Sequence, residues 1–391
     1  MIGNVEIGWS GLRATSDKAA IEEPSVLQSP TVRGIVLAGV HAWGDCVLEQ
    51  AVCRPLLPLA ARPLIWHTLR WLHDGGVRRA VVCANSDTAV LRRALGENAG
   101  LDMSLDYFED LMPRGPAGCV RDAAFGTDAE VILVTEGTLV PRIDLTALLR
   151  AHLTTGAAVT MVVGGAGFTH RRPGEGQEPL GIYMFSRSVL ERVPATGYQD
   201  IKETLIPSLH RRGERIVTHE VPGDLAPRVT DAASYLGVNM RTVEEMVREG
   251  AVPSGYVRVG DAWVDPSARL DSTARFVGPV LVGPRSVIGC GTLIVGPTTI
   301  GTGCTIGRRA VVSRSAVWDR CHIGSGAIVD QSVLTNDARV DEELVVRETV
   351  YVPRRCNERK FLGRVVSYCQ AAQRRTRVVS GSEVSSKLLR A

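Results

Sequence analysis

The sequence predicts a doubly wound α/β domain over residues 33–250, followed by a parallel β-helix over residues 258–345. In the first part, short apolar runs that suit buried strands alternate with stretches of helical spacing. This pattern is typical of a sheet with helices on both faces. In the second part an apolar residue returns every six positions, which is the signature of a β-helix. A chain of 391 residues is also too long for one ordinary core, so two domains are expected.

The first strand–loop–helix unit begins at Arg33–Ala38, an apolar run that ends at Gly39. Pro63 then opens an amphipathic helix in which three aliphatic residues have helical spacing, namely Ile65, Leu69 and Leu72. Open α/β sheets bind ligands beyond the carboxyl ends of their strands. The loop after Gly39 is therefore a candidate binding region.

Further apolar runs predict buried strands at Ala80–Cys83, Val131–Val134 and Val159–Val163. Helical spacing at Thr88–Leu95 and Leu145–Leu153 predicts helices between them. We therefore expect a parallel, Rossmann-like sheet whose connecting helices cover both faces.

The six-residue repeat begins at Val264 and runs to Val312. Its apolar positions are Val264, Leu270, Phe276, Val282, Ile288, Ile294, Ile300, Ile306 and Val312. After a slip of one residue Val317, Ile323 and Val329 continue the pattern, and Leu334 and Val340 follow it. Glycine often follows the apolar residue, which suits the sharp corners of a triangular prism. Each repeat is expected to point its apolar side chain into that prism.

The two ends of the chain have a different composition. Residues 1–32 show no sustained periodicity and predict a flexible leader. Residues 346–391 form a basic tail, with ten Lys and Arg from Arg354 onward against Glu358 and Glu383. This tail is either an arm for an acidic partner or nucleic acid, or a solvated helix that caps the last coil before a frayed end. We favour the second interpretation.

Composition excludes several function classes. The chain is 45% hydrophobic and 22% charged, as soluble globular proteins are, and its formal charge of +3 gives no electrostatic case for nucleic acid. No apolar run approaches the roughly 18 residues of a membrane helix, and no secretory signal opens the chain. The nine cysteines are scattered without a C-x-x-C pair. They predict reduced thiols and a cytoplasmic protein rather than a disulfide framework or a zinc site.

The spacing of one set of motifs resembles a known family. Leu37-Ala38-Gly39, Pro55-Leu56-Leu57-Pro58 and Pro63-Leu64 fit the pattern L-A-G-G-x-G-T-R-L followed by K-P-L-L-P-x-x-x-x-P-L without insertion. The chain thus resembles the nucleotide-sugar pyrophosphorylases, and most strongly the mannose-1-phosphate guanylyltransferases and their non-catalytic relatives. The family joins a sugar 1-phosphate to a nucleoside triphosphate and releases pyrophosphate.

Five further segments match the family in the correct order. They are Gly115–Cys119, Val134–Thr138, Gly181–Phe185, Asp200–Pro207 and Tyr235–Asn239. The resemblance implies a nucleotidyltransferase domain of the GT-A type and a left-handed β-helix. It also implies that Leu37, Ala38, Gly39, Gly115, Ala117 and Gly118 bind the nucleotide, with Gly115–Cys119 a loop whose glycines let backbone approach the base.

The chain departs from the family where the triphosphate would be cradled. Val40, Ala42, Trp43 and Gly44 stand where the family has Gly, Gly, Thr and Arg, and Arg54 stands at the signature Lys position. A cradle of backbone N–H groups needs flexible glycines and a nearby cation. His41 and Arg54 can supply positive charge, although His41 more often would be an exposed loop histidine.

Both carboxylates that hold magnesium in the family are also replaced. Thr138 and Arg228 occupy the two Asp positions. A hydroxyl and a guanidinium are poor ligands for a hard cation. Glu136 and Asp231 are the nearby substitutes, and otherwise they are solvated or capping carboxylates. Magnesium is thus expected only if the protein is active.

The family holds the sugar phosphate with an E-K-P segment, which is missing here. The stretch between Val163 and Gly181 contains no Lys. Arg171 and Arg172 either bind an anion there or are simply solvated.

These departures lead to three hypotheses. The first is a catalytically degenerate regulatory or scaffolding subunit that binds a nucleotide or nucleotide sugar and forms homo-oligomers or hetero-oligomers with a catalytic paralogue. The second is an active sugar-1-phosphate nucleotidyltransferase with relocated metal ligands, in polysaccharide or glycan precursor synthesis. The third is acyl transfer or ligand capture by the β-helix, with His322, the only histidine within the repeats, as the candidate catalytic residue. The first is favoured because three parts of the site are altered together.

Overall fold

The computed structural model describes residues 30–39, 46–111, 114–164, 178–353, 363–367 and 377–380. These residues form two compact units. The first unit contains residues 30–39 and 65–227, and the second contains residues 46–64 together with those from 228 onward. Most of the predicted leader and basic tail, Val40 to Gly44, and both Arg171 and Arg172 lie outside the described residues.

A seven-stranded sheet forms the centre of the first unit. Its strands are β1 (Val32–Leu37), β2 (Arg79–Ala84), β3 (Ser104–Glu109), β4 (Val131–Glu136), β5 (Val159–Gly164), β6 (Pro179–Ser186) and β7 (Ile216–Val221). They lie in the order β3-β2-β1-β4-β6-β5-β7. The predicted strands lie inside these elements to within one residue, so the prediction of a doubly wound α/β sheet is confirmed.

The prediction that this sheet is parallel was wrong for one strand. β6 pairs antiparallel with both of its neighbours, β4 and β5, while the other pairings are parallel. Consecutive antiparallel strands need no crossover helix, so β6 can follow β5 directly. A buried apolar run looks the same in either direction, which is why the sequence pattern did not reveal it.

Three helical stretches predicted from the sequence are confirmed, and the described residues contain six helices, the last of them in the second unit. They are α1 (Leu64–Asp74), α2 (Thr88–Leu95), α3 (Gly115–Ala123), α4 (Leu145–Thr155), α5 (Ile206–Arg211) and α6 (Ala232–Glu249). Tighter or wider turns occur at Val47–Gln50, Arg54–Leu56, Arg187–Arg192, Ile201–Leu205 and Gly223–Leu225. None of the helices in the described part of the chain has the length and hydropathy of a membrane span.

The second unit is built on a parallel β-helix with three faces. Face 1 stacks Ala262–Val264, Val280–Val282, Thr298–Ile300, Ala316–Val317, Val333–Leu334 and Thr349–Pro353. Face 2 stacks Arg269–Leu270, Val287–Ile288, Thr305–Ile306, His322–Ile323 and Arg339–Val340. Face 3 stacks Arg275–Val277, Leu293–Val295, Val311–Ser313, Ile328–Asp330 and Val345–Arg347.

The repeat positions behave as predicted. All of them belong to one hydrophobic cluster inside the prism. Among the repeat positions, only Leu270 and Phe276 in the early coils are partly exposed. Such three-faced stacking of short parallel strands is consistent with a left-handed β-helix.

The slip in the repeat is a shortened corner. On face 1, Val282 pairs with Ile300, eighteen residues later, but Ile300 pairs with Val317, only seventeen later. Arg314 lies at the shortened corner with φ 44°, and Gln331 and Glu348 occupy the same place in the next two coils with φ 45° and 47°. At this corner, which is one residue shorter, a non-glycine residue with left-handed backbone angles turns the chain.

Antiparallel strands extend face 1 at both ends. Val257–Val259 pairs with the first coil, and Gly363–Ser367 and Arg377–Ser380 continue beyond the last. The favoured prediction of a capping helix in the basic tail was therefore wrong for these residues. The added strands satisfy the backbone groups that an open terminal coil would expose.

Candidate nucleotide site and signature segment

A cavity of about 160 Å³ lies in the first unit, at the carboxyl ends of β1, β2 and β3. It is lined by Leu37, Gly39, Cys83, Ala84, Asn85, Asp110, Gly115, Pro116, Cys119 and Tyr198. This is where an open α/β sheet is expected to hold a ligand. The volume is smaller than the roughly 300–1,000 Å³ of typical small-molecule sites, so the described part accommodates a fragment the size of a base.

Strand register brings the lining residues together. The backbone N–H of Ala38 donates to the carbonyl of Cys83 at 2.8 Å, which joins the end of β1 to the end of β2. The N–H of Asp110 donates to the carbonyl of Ala84 at 2.7 Å, which joins β3 in the same way. Asn85 and Asp110 therefore emerge at the same edge as Gly39.

The predicted base-binding loop is in fact the start of a helix, since Gly115 opens α3. Gly115 has φ +80°, and a Cβ there would lie within 2.8 Å of the carbonyl carbon of Gln199. The N–H of Ala117 donates to the Gln199 carbonyl at 3.0 Å, and the Gln199 N–H donates to Arg114 at 2.6 Å. The neighbouring chain segment therefore requires a glycine at this position, whether or not a ligand also approaches it.

The cavity unites some of the predicted nucleotide-binding residues and not others. Leu37, Gly39 and Gly115 line it. Ala38 and Ala117 are buried in the protein interior at 3% and 1% exposure, and a Cβ on Gly118 would meet Arg114 instead. The nucleotide-binding role of these residues stays a prediction.

Sequence reasoning missed the polar residues of the cavity. Asn85 Oδ1 is buried, and the described residues offer it no hydrogen-bond partner. Asp110 and Tyr198 line the same space. Asn85 and Asp110 directly follow predicted or observed strands, so the strand-end rule was the signal that could have found them.

Two thiols form part of the cavity wall. Cys83 hydrogen-bonds Cys119, and this contact and burial raise the pKa of the Cys83 thiol well above its usual range. No disulfide joins any of the seven cysteines among the described residues. Cys83 therefore presents a neutral, apolar surface to a bound ligand.

The first predicted metal position lies just after β4. Glu136 pairs in register with Leu37, and Gly137 donates its N–H to the Leu37 carbonyl at 2.8 Å. Thr138 follows in the turn, partly buried. A threonine hydroxyl is a weak donor for magnesium, so the site no longer fits that ion at this position.

The second predicted metal position lies at the entry to α6. Arg228 brings positive charge there, and Asp231 caps the helix, accepting from the N–H of Ser234 at 2.7 Å. Ser234 Oγ in turn accepts from the N–H of Asp231 at 2.9 Å, which completes a capping box. Asp231 thus has the capping contact that the sequence analysis gave as its alternative role. Nowhere in the described ranges do three His, Cys, Asp or Glu residues converge as a metal site.

We use the name signature segment for residues 46–63, which contain the P-L-L-P motif. Arg54, at the signature Lys position, is only 5% exposed. Its Nε and Nη2 donate to Oε1 and Oε2 of Glu49, each at 2.9 Å. Such a fork-to-fork pair fixes the guanidinium plane and neutralises its charge within the segment.

His322 lies on face 2 of the β-helix, where it is exposed at the first position of its strand. It pairs with Thr305 and Arg339 of the adjoining coils, both also exposed. His322 therefore occupies the strand position that points outward from the prism, as expected of a solvated polar residue in the repeat.

Comparisons with known proteins agree with this architecture. Residues 47–172 match the Nucleotidyl transferase family, and residues 258–363 match the GMPPB C-terminal domain. Mannose-1-phosphate guanylyltransferase of Mycobacterium tuberculosis is 24% identical over 310 residues, which cover 71% of this chain and 83% of that protein. Glucose-1-phosphate thymidylyltransferase of Streptomyces antibioticus is 23% identical, with 70% and 83% covered. Bifunctional protein GlmU of Exiguobacterium sibiricum is 24% identical, but only 65% of its length is covered.

The fold and the two family matches define an α/β nucleotidyltransferase-type domain followed by a C-terminal β-helix. The two family matches and the named relatives place the chain in the nucleotide-sugar pyrophosphorylase family.

Proposed function

We propose that this chain is a catalytically degenerate family member. In this proposal it binds a nucleotide or nucleotide sugar and acts as a regulatory or scaffolding subunit. The observation that carries the proposal is the Arg54–Glu49 pair. The one cation at the signature position is buried and doubly hydrogen-bonded to a carboxylate of its own segment.

The energetics of this pair support the loss of catalysis. To reach a sugar phosphate, the buried Arg54 guanidinium would have to leave the partly exposed Glu49 carboxylate. A buried charge left without an equally well placed partner costs several kcal/mol. Catalysis requires groups that are already aimed at the developing charge. A bound metal ion would be the second group to stabilise the developing charge. Thr138 and Arg228 stand at both positions where the family has its metal-binding Asp, so this source is removed as well.

The cavity supports retained ligand binding. Asn85 Oδ1 is a buried acceptor that a base amino group would satisfy, and the Asp110 carboxylate adds a second acceptor in the same space. Leu37, Pro116 and Cys119 supply apolar wall. One apolar slot with a few polar groups is the usual composition of a small-ligand site.

The named relatives favour a second function, active nucleotidyl transfer. It would require magnesium to be held through Glu136 or Asp231. The present contact of Asp231 with Ser234 would then have to be exchanged for the metal.

The test is pyrophosphate release by the purified full-length protein with magnesium, over five nucleoside triphosphates and common sugar 1-phosphates. We expect no turnover above a metal-free blank, together with measurable binding of at least one nucleotide or nucleotide sugar by calorimetry. Turnover that disappears in Glu136→Ala or Asp231→Ala would instead establish the second function.

A matched pair of variants locates the binding. Asn85→Ala should weaken nucleotide binding about tenfold, because it removes one hydrogen bond to the ligand. Asn98→Ala is the control, since Asn98 only accepts from the N–H of Gly100 in an exposed turn of the same unit. Equal affinities for both variants would count against the cavity as the site.

The regulatory role requires a partner. We expect the protein alone, or mixed with a catalytic family member from the same organism, to sediment as an oligomer. A sedimentation profile that stays monomeric in both samples would argue against a scaffolding subunit.

A further inference from the structure

The Y-x-x-x-N motif of the sequence has no assigned role in the proposed function. Tyr235 and Asn239 are four residues apart on α6, so they share one face of the helix. Both are fully buried, at 0% exposure. Each contacts the β-helix on one side and the signature segment on the other.

The first connection runs through Tyr235. Trp318 Nε1, on the fourth β-helix coil, donates to the Tyr235 hydroxyl at 2.8 Å, and the two rings meet edge to face with centroids 5.9 Å apart. The Tyr235 hydroxyl in turn donates to the carbonyl of Pro58. The phenol therefore uses both its donor and an acceptor position, and the three groups form a continuous chain.

The second connection runs through Asn239. Asn239 Oδ1 accepts from the backbone N–H of Ala60 at 2.9 Å, while Asn239 Nδ2 donates to Thr299 Oγ1 at 3.3 Å. Thr299 pairs with Ala316 in the strand ladder of face 1. This chain of groups also joins the β-helix to the signature segment through α6.

The turn that receives these bonds is unfavourable on its own. Pro58–Leu59 and Arg62–Pro63 form a two-stranded hairpin whose turn residues, Ala60 and Ala61, have φ 46° and 67°. Turns of this type usually contain Asn and Gly, because a Cβ strains the left-handed backbone. Alanine at position 60 instead places its methyl group in a cluster with Val243, Met246 and Leu281. Packing and the relays therefore hold a turn that the local sequence does not favour.

We propose that Tyr235 and Asn239 are positioning residues through which the β-helix holds the signature segment in its observed conformation. Thr299 and Trp318 are the β-helix ends of the two relays. The repeat domain is then an internal scaffold for a motif more than two hundred residues before it in the chain. This inference does not depend on whether the protein turns over substrate.

The test is hydrogen–deuterium exchange of the full-length protein, read on peptides that contain Leu57–Ala61. Thr299→Val and Trp318→Phe remove the hydrogen-bonding groups at the β-helix ends of the relays. Thr299→Val nearly preserves volume, whereas Trp318→Phe keeps an aromatic ring but also shortens a buried side chain. Each should accelerate exchange in these peptides by about tenfold, as expected when one typical hydrogen bond is lost. Tyr235→Phe should have at least the effect of Trp318→Phe, and the double variant should equal Tyr235→Phe alone, because the hydroxyl links both bonds.

Two variants serve as matched controls. Thr305→Val changes an exposed threonine on face 2, and Trp66→Phe removes an indole hydrogen bond to Ala99 within the first unit. Neither should alter exchange at Leu57–Ala61. The proposal is overturned if Thr299→Val and Trp318→Phe, shown by circular dichroism to be folded, exchange there at the rate of these controls.

Discussion

The nucleotide cavity and the signature segment both match family motifs, yet their polar groups have opposite surroundings. In the cavity, the buried Asn85 Oδ1 has no hydrogen-bond partner among the described residues. In the signature segment, Arg54 is buried and paired with Glu49. The spacing of a motif can therefore persist because it serves packing, while a polar side chain of that motif is buried and paired within the protein. A motif match predicts a fold, and only the partner of each side chain indicates what it can do.

The largest expected effect that separates the two regions is at Gly115. Gly115→Ala should destabilise the first unit by about 3 kcal/mol and abolish nucleotide binding, because the added Cβ would collide with the Gln199 backbone at a positive φ. Gly126→Ala is the matched control, since Gly126 has φ +75° but nothing within 4 Å of the added Cβ. Chemical unfolding and calorimetry would measure both. Similar losses in the two variants would mean that backbone strain, rather than the Gln199 contact, is responsible.

The corresponding test of the signature segment is Glu49→Ala. It should cost about 2 kcal/mol of unfolding free energy, because Arg54 would remain buried without its carboxylate partner. The exposed pair Arg248–Glu249 is the control, and Glu249→Ala should change stability by less than about 1 kcal/mol. Urea unfolding followed by circular dichroism would compare them. A Glu49→Ala protein as stable as the control would show that Arg54 is better solvated than its burial implies.

The sequence revealed those parts of the fold that are recorded in local periodicity. The six-residue repeat located every coil, and the one-residue slip after Val312 marked a real change in corner geometry at Arg314. Apolar runs located β1, β2, β4 and β5, because strands buried on both faces are continuously apolar. They did not reveal that β6 is antiparallel, since strand direction is set by connections rather than by composition.

The parts of the site that could not be predicted depend on contacts between distant residues. Ala60 and Asn239 hydrogen-bond across 179 residues, and no local pattern indicates which buried amide will meet which backbone N–H. The Glu49 partner of Arg54 is nearby in sequence, but five residues in an irregular turn have no fixed geometry. The family pattern located these positions, whereas the tertiary structure determined their partners.

A smaller effect concerns the pH dependence of the second unit. Burial raises the pKa of Tyr235 far above its usual value of 10, so the folded protein keeps this phenol protonated where the unfolded chain ionises. The contribution of Tyr235 to the unfolding free energy is therefore fully present below about pH 10. It decreases as the pH rises above about 10, by at most about 1.4 kcal/mol per pH unit. Tyr235→Phe should reduce this alkaline loss. Unfolding curves of the wild type and the variant at pH 8 and pH 10.5 would measure it, and parallel losses would refute the assignment.

The smallest expected effect is its counterpart in the first unit. His152 is 2% exposed, its Nδ1 lies 2.8 Å from Thr160 Oγ1, and burial lowers its pKa below the usual 6.5. On acidification the imidazole of His152 takes up a proton in the unfolded chain while it stays neutral in the folded chain. Its contribution to the unfolding free energy is therefore fully present above pH 6.5 and decreases below that pH. In His152→Gln, which keeps a polar group beside Thr160, the unfolding free energy should change less between pH 7.5 and pH 5.5 than in the wild type. If the two proteins lose the same stability, other groups cause the acid sensitivity of this unit. If the variant loses less, the buried imidazole accounts for the difference, and acid weakens the unit that holds the cavity while alkali weakens the unit that holds the signature segment.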